Sequence, residues 1–294
     1  KGDASQRKYF RLQNDDSTAI VMYDPPPNNS IETFVEKQKV MLDDHLPVPI
    51  IEHANLEKGF LIQTDLGEHT FNDLLKSEDL EKLYLKALEL LLTFQKAPST
   101  TKYLPEATDI HWEKQNTLFE TWYCNKHLQH PLSDEEKQYI NRFFQSVHQA
   151  IKQQPQCPMH HDFHSRNLMP HKNTLFIIDF QDAILGPITY DFISLTQDYY
   201  FKLPTEHLNM LQNQFQSYLD QRYHYSQSQW EKWMDLTALQ RHLKNLGTFA
   251  RLAHRDQKTD YLNDMPEIIN HIFRILERNP DLSKLESILQ KRSP

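Results

Sequence analysis

The stretch MHHDFHSRNLM, residues 159 to 169, sets His160, His161, Asp162, His164, Arg166 and Asn167 among apolar neighbours. Two kinds of chemistry suit those residue types. His160, His161, Asp162 and His164 could ligate zinc, which takes imidazole nitrogens and carboxylate oxygens. Asp162 and Asn167 could instead serve phosphoryl transfer, where a carboxylate meets the attacking hydroxyl and hard oxygen donors hold Mg²⁺ against the phosphate oxygens. His160 and His164 have the i, i+4 spacing of a helical zinc site, yet no H-E-x-x-H occurs and no Cys-rich partner follows.

Further along, the apolar run LFIIDF ends in Asp179 and Phe180, twelve residues past Asn167. That order and spacing match the kinase catalytic-loop pattern H-R-D-L-x-x-x-N followed by D-F at a strand end. His160, Asp162, Phe163 and Asn167 fall on its H, D, apolar and N positions. Taken singly, Asp162, Asn167 and Asp179 read as ordinary turn residues. Taken together, beside an apolar strand, they predict a phosphoryl-transfer centre, with His161 and His164 as loop residues near it or plain surface histidines.

The elements that must position this loop follow from periodicity. Up to about residue 64 the chain alternates in short β-like runs, KYFRL, TAIVMY and GFLIQT, with one helix-length segment, IETFVEKQKVMLDDHL, before the third. DPPPNN and LPVP punctuate them, since proline stops helices and forces extended backbone before itself. Beyond Gly67 helix dominates. DLEKLYLKALELLLTFQKA carries Leu80, Leu83, Tyr84, Leu88, Leu91 and Leu92 on one face, and SDEEKQYINRFFQSVHQAI opens with a capping box from Ser133 to Glu136. The run LFIIDF is then a strand isolated within a helical region. This is an α+β chain: a small β-rich N-terminal lobe over residues 1–66 and a large, mainly helical lobe over 67–294.

Composition bounds the rest. The 294 residues suffice for a proper core without staples. Cys124 and Cys157 form no C-x-x-C pair and sit among apolar neighbours, which predicts buried free thiols in a reducing compartment. A net charge of −8 with no separate basic run argues against a nucleic-acid or anionic-membrane surface. No apolar stretch approaches a membrane span, and KGDASQRKYF has no signal-peptide core. The expectation is a cytoplasmic monomer. Because the chain opens directly in a polar, loop-like segment, its N-terminal lobe reads as lacking its first residues.

The segments HHDFHSRNLM, LFIIDFQDA and GPITYDFISL resemble the aminoglycoside phosphotransferase and choline-kinase-like family, whose pattern runs H-G-D-h-x-x-x-N, then I-D-[WF], then G-[DP]-x-x-Y-D-L. Within it, SQRKYFRL, LFETWYCNKHL and LQRHLKNLGTFARLAHRDQKTDYL are most similar to the bacterial anomeric kinases of N-acetylmuramate and N-acetylglucosamine in cell-wall recycling. The resemblance implies a two-lobed protein-kinase-like fold using ATP and Mg²⁺. It implies Asp162 as catalytic base, Asn167 and Asp179 as magnesium ligands, His160 as a structural residue and Asp191 as the brace of the catalytic loop. Alone, Asp191 would read as a helix cap.

The same resemblance makes Glu36 the helix glutamate that pairs with a strand lysine. The sequence departs from the pattern there: AIVMYDPP offers Met22 or Tyr23, and Arg7, Lys8 and Arg11 are the cations near enough to substitute. GDASQRKYF would be the phosphate loop, where Gly2, Ala4 and Ser5 let backbone N–H groups approach phosphate oxygens and Ser5, Gln6 and Arg7 meet the nucleotide. Adenine would sit at the lobe junction on the backbone around Gln63, Thr64, Asp65 and Leu66.

One pattern stands apart from the family. On a helix from Leu239 to Arg255, a 100° turn per residue gathers Arg241, Lys244, Thr248, Arg251 and Arg255 opposite Leu239, Leu243, Leu246 and Ala250. A solvated basic face is the ordinary explanation. The functional one puts Arg241 and Lys244 in the cleft, where with Asp182 they receive a hydroxyl-rich or anionic sugar. A polycationic antibiotic would want carboxylates there instead. The function expected is transfer of the ATP γ-phosphoryl to the anomeric hydroxyl of an N-acetylated amino sugar. Its rivals are a kinase of the same family for another alcohol (an aminoglycoside, choline or homoserine), a nucleotide-binding pseudokinase and a metallohydrolase.

Overall fold

The computed structural model describes residues 7–15, 17–24, 30–76 and 79–292. Ser5 and Gln6, with the rest of the expected phosphate loop before Arg7, lie outside the described residues.

Strands β1 (Lys8–Gln13) and β2 (Thr18–Tyr23), helix α1 (Ser30–Asp43), and strands β3 (Ile51–Asn55) and β4 (Phe60–Thr64) form the first unit. Its antiparallel sheet runs β1-β2-β4-β3, with Met22 opposite Leu61 in the β2–β4 ladder. Alternation along TAIVMY and FLIQT turns Met22 and Leu61 inward, and both are buried. Ile31, Phe34, Gln38 and Met41 recur along α1 at helical spacing and are buried with them. β3 was not expected: IEHAN has no apolar alternation, and four of its five residues are exposed.

The larger unit opens with α2 (Phe71–Leu74), α3 (Leu80–Gln95), α4 (Pro98–Tyr103) and α5 (Asp109–Leu118), which runs on as a π-helical segment, Phe119–His127. α6 (Asp134–Lys152) starts at the expected capping box, Ser133 accepting from the N–H of Glu136 and the Glu136 carboxylate from that of Ser133. β5 (Gln156–Met159), β6 (Leu168–His171), β7 (Thr174–Ile177) and β8 (Ile184–Pro187) follow; β5 pairs with β8, and β6 with β7. The run LFIIDF is therefore no isolated strand. It is half of a hairpin whose two-residue turn, Lys172 and Asn173, has φ of 47° and 64°, the left-handed pair that suits the twist of hairpin strands.

α7 (Thr189–Thr196), α8 (Thr205–Asp220), α9 (Gln227–Asp256), α10 (Met265–Glu277) and α11 (Ser283–Gln290) complete the chain. α9 passes through the middle and buries Gln240, Arg241, His242, Lys244 and Asn245 along with its leucines. It comes so close to the end of α5 that a Cβ on Gly247 would lie 2.3 Å from the backbone of Leu118. Cys124 and Cys157 are free and buried. Among the described residues no helix is long and apolar enough to cross a membrane.

Candidate active site

The catalytic loop lies between β5 and β6 and is fastened at both ends. Asp191, buried in the first turn of α7, accepts the backbone N–H of His160 at 2.5 Å and of His161 at 3.0 Å. It caps this loop and not a helix; the residue before α7 is Ile188. Burial pushes the Asp191 carboxyl up to about 6, against the pull of His160 and the two backbone N–H groups. At the far end Asp198 accepts the Ser165 backbone N–H at 3.0 Å and its hydroxyl at 2.5 Å, a brace that QDYY does not advertise in sequence.

His160 Nε2 donates to the carbonyl of Ile178 at 2.8 Å, and its Nδ1 accepts from the N–H of Asp162 at 3.3 Å. The imidazole thus joins the loop that carries Asp162 to the residue before Asp179. Asn167 makes a second link: its Nδ2 donates to the Asp162 carbonyl at 3.0 Å, and its own carbonyl accepts from Ile178 N–H at 3.1 Å. These bonds tie the backbone at Asp162 and Asn167 to the strand end before Asp179, with the Asp162 side chain 48% exposed and that of Asp179 45% exposed. Asp179 has a φ of 62°, a backbone state that Asp tolerates better than most residues. Nε2 of His160 and Nε2 of His161 are turned to separate partners, the Ile178 carbonyl and the Gln115 side chain.

Desolvation by the surrounding protein works against charge on Asp162, half-exposed as its side chain is. Lys244, the largest of the opposing charges with Nζ 3.9 Å from Oδ1, and Arg241 beyond it outweigh that cost and hold the carboxyl down at about 2. Two residues of the basic stripe therefore part company. Lys244 reaches the Asp162 carboxylate, whereas Arg241 is wholly buried, with Nε on the Ser194 hydroxyl at 2.7 Å and its guanidinium over the Tyr199 ring. The stripe is no solvated face at these positions, and the structure does not bring Arg241 to the cleft surface. Asp182 is exposed and tied to Asp179 through Gln181, whose Nε2 donates to both carboxylates at 3.2 and 2.9 Å.

The pairing expected of Glu36 is corrected by one residue. Glu36 is exposed and accepts from the Tyr103 hydroxyl at 2.7 Å. Lys37 turns inward instead, donating to the carbonyls of Gln181 and, at 2.6 Å, Ala183, immediately after the second aspartate. No lysine stands on β2, where Met22 is fully buried. Arg7 occupies the vicinity, with Nη1 3.9 Å from Asp179 and Nε 3.6 Å from buried Asp24. Arg11 points elsewhere, to Asp65, Glu68 and the Gly67 carbonyl. Phe180 stacks on Phe34 of α1 at 4.6 Å between centroids.

The residues suit a nucleotide and Mg²⁺ on their own chemistry. With Nδ2 of Asn167 engaged, its Oδ1 remains to join the Asp179 carboxylate as a pair of hard oxygen ligands, and Arg7 already places positive charge beside Asp179. At the junction the Gln63 Oε1 is buried without a hydrogen-bond partner, an acceptor that a ligand would satisfy. The Asp65 side chain is committed to Arg11 at 2.7 Å and to Gly67 N–H at 2.9 Å. The Leu66 carbonyl faces His171 Nδ1 at 3.3 Å.

Comparison with known proteins agrees on the fold. The chain is 32% identical over 297 residues to an N-acetylmuramate/N-acetylglucosamine kinase of Pseudomonas putida, covering 98% of this chain and 85% of that protein. A protein of the same name from Pseudomonas aeruginosa is 33% identical over 299 residues, covering 98% and 86%. Among solved structures, an ADP-bound aminoglycoside phosphotransferase superposes with a TM-score of 0.58 at 16% identity, covering 92% of this chain and 94% of the other. Choline kinase from Streptococcus pneumoniae gives 0.62 at 12% identity, covering 90% and 89%. The two-lobed protein-kinase-like fold is thus shared, and with residues 1–230 matching its pattern the chain belongs to the phosphotransferase enzyme family.

Proposed function

We propose that this chain transfers the γ-phosphoryl group of ATP to the anomeric hydroxyl of an N-acetylated amino sugar, N-acetylmuramate or N-acetylglucosamine, giving the sugar 1-phosphate for cell-wall recycling. The observation that carries the reading is the hydrogen-bonded linkage of Asp162, Asn167 and the strand end before Asp179. The names of the relatives supply the acceptor.

The residues divide the work. Residues 1–66 form the nucleotide lobe, with Ser5, Gln6 and Arg7 on the phosphates and the backbone of Gln63, Asp65 and Leu66 on adenine; residues 67–294 carry the catalytic loop and the acceptor site. Mg²⁺ held by Asn167 and Asp179 would neutralise phosphate oxygens. Asp162 orients the sugar hydroxyl. As its oxygen bonds to the γ-phosphorus and the bond to the bridging oxygen of ADP breaks, the hydroxyl proton passes to Asp162.

A carboxylate held at about 2 is too weak a base to take that proton early. A loose transition state needs it only late, and a hemiacetal hydroxyl is more acidic than an ordinary alcohol. Lys244 and Asp182 meet the sugar, and Arg241 adds positive potential from beneath. The chain acts as a monomer in the cytoplasm.

Asp162→Asn tests the proposal: turnover should fall by about 10³ or more while ATP still binds, and near-normal turnover would remove the base assignment. The buried Met22 where a strand lysine is usual favours one other reading, a nucleotide-binding pseudokinase. That reading gains if ATP binds but neither N-acetylmuramate, N-acetylglucosamine, kanamycin nor choline is phosphorylated.

A further inference from the structure

His161 holds a backbone conformation that side chains other than glycine resist. Its φ is 81°, a strained state that persists only where the surroundings over-determine it. They do so here. Its N–H is on Asp191, and its ring lies between His111 of α5 and Tyr190 of α7, with centroids 5.2 and 5.3 Å away. Its Nε2 is 2.6 Å from the side-chain nitrogen of Gln115, which is equally close to Nε2 of His111.

Gln240 Nε2 donates to Gln115 Oε1 at 3.2 Å, so the amide nitrogen of Gln115 faces the histidines and its two hydrogens go one to each ring. In that arrangement both Nε2 atoms accept, and both imidazoles are uncharged Nδ1–H tautomers. Burial holds both rings in that state, pushing His161 down to about 3 with the help of Lys244, and lowering His111 also. Among the described residues no protein group takes either Nδ1–H.

We infer that His161, fixed as an uncharged donor by Gln115 and backed by His111, binds the amide carbonyl of the acceptor's N-acetyl group beside the hydroxyl that Asp162 orients. This deepens, and rests on, the sugar-kinase reading above. The logic is one of matched charge: this side of the cleft offers N–H donors and the ammonium of Lys244. A carbonyl oxygen is welcome there, and a protonated free amine is repelled. Acetylation of the sugar nitrogen converts the second into the first.

The test compares N-acetylglucosamine, glucosamine and glucose as acceptors for the wild-type chain, His161→Gly, His161→Asn and Gln115→Leu, with ATP affinity measured separately. Glycine suits the left-handed backbone and asparagine tolerates it, so neither should unfold the loop. The wild-type chain should prefer N-acetylglucosamine in kcat/KM. His161→Gly and Gln115→Leu should lose at least tenfold of that preference with ATP affinity within twofold, and His161→Asn, which keeps a donor, should recover part of it. An unchanged preference in His161→Gly, or a wild-type chain that favours glucose or glucosamine, overturns the inference while leaving the kinase intact. A wild-type chain that binds ATP yet phosphorylates no sugar sinks the underlying reading first, and the inference with it.

Discussion

Nζ of Lys244 stands 3.9 Å from Oδ1 of Asp162, the lysine side chain 9% exposed and the carboxylate 48% exposed. A cation shielded from water acts on its neighbour with far less screening than a surface ion pair would. Lys244→Met should raise the Asp162 pKa from its value of about 2 and lower kcat/KM about 10- to 100-fold, that is by about 1.4–2.7 kcal/mol. The melting temperature should hold or rise, because a desolvated ammonium is replaced by an apolar chain of similar length. Steady-state kinetics with thermal unfolding checks both halves, and a parallel loss of stability would recast Lys244 as structural.

Asp191 supplies a pH dependence. Its folded pKa of about 6 lies above the ordinary carboxylate value of 3.8, so the folded chain binds the extra proton between those two values and the unfolded chain does not. Stability from this group is therefore gained as pH falls through about 6 and forgone above it. Activity should run the other way, since a protonated Asp191 is a poorer acceptor for the N–H groups of His160 and His161. An acid limb in kcat near pH 6 is expected, absent from Asp191→Asn, which should be slower at every pH. Asp162, at about 2, stays ionised throughout this range and cannot produce the limb.

Lys37 ties α1 to the segment after Asp179 through the carbonyls of Gln181 and Ala183. Lys37→Met should strand both carbonyls, cost about 1–3 kcal/mol of stability, and lower kcat with a weaker affinity for ATP. Glu36→Gln, one residue away and facing Tyr103, should change neither by more than about twofold, as expected of a surface position. Isothermal titration with ATP and denaturant unfolding separate the two variants.

The contrast between those neighbours explains what was legible in the sequence. The loop between β5 and β6 and the hairpin end after it are legible because H-x-D-x-x-x-x-N followed by a strand-end aspartate fixes their spacing, and the structure ties the two by hydrogen bonds from His160 and Asn167. Helix faces are less explicit. One residue is a 100° turn, and in VEKQKVM nothing local says that Lys37 is buried and Glu36 is not, because the lysine's partners are backbone carbonyls about 145 positions away. β3 and β6 escaped for different reasons, IEHAN through its polarity and LMPH through a proline that usually argues against a strand. The basic stripe of α9 was seen, but its burial was not, since Arg241 and Lys244 are covered by residues from α7 and the catalytic loop. His161 looked like a spare histidine until its backbone angle and Gln115 were known.

The close pass of α9 over Leu118 carries a further meaning. At position 247 the gap between the two helices is one hydrogen atom wide, since any Cβ would overlap the Leu118 main chain. Lys244 lies one turn earlier on the same rigid rod and Gln240 about one turn before that, so the reach of the cleft's ammonium and the grip on Gln115 are both gauged from that single bare carbon. The placing of both side chains is thus gauged at a position that has no side chain at all.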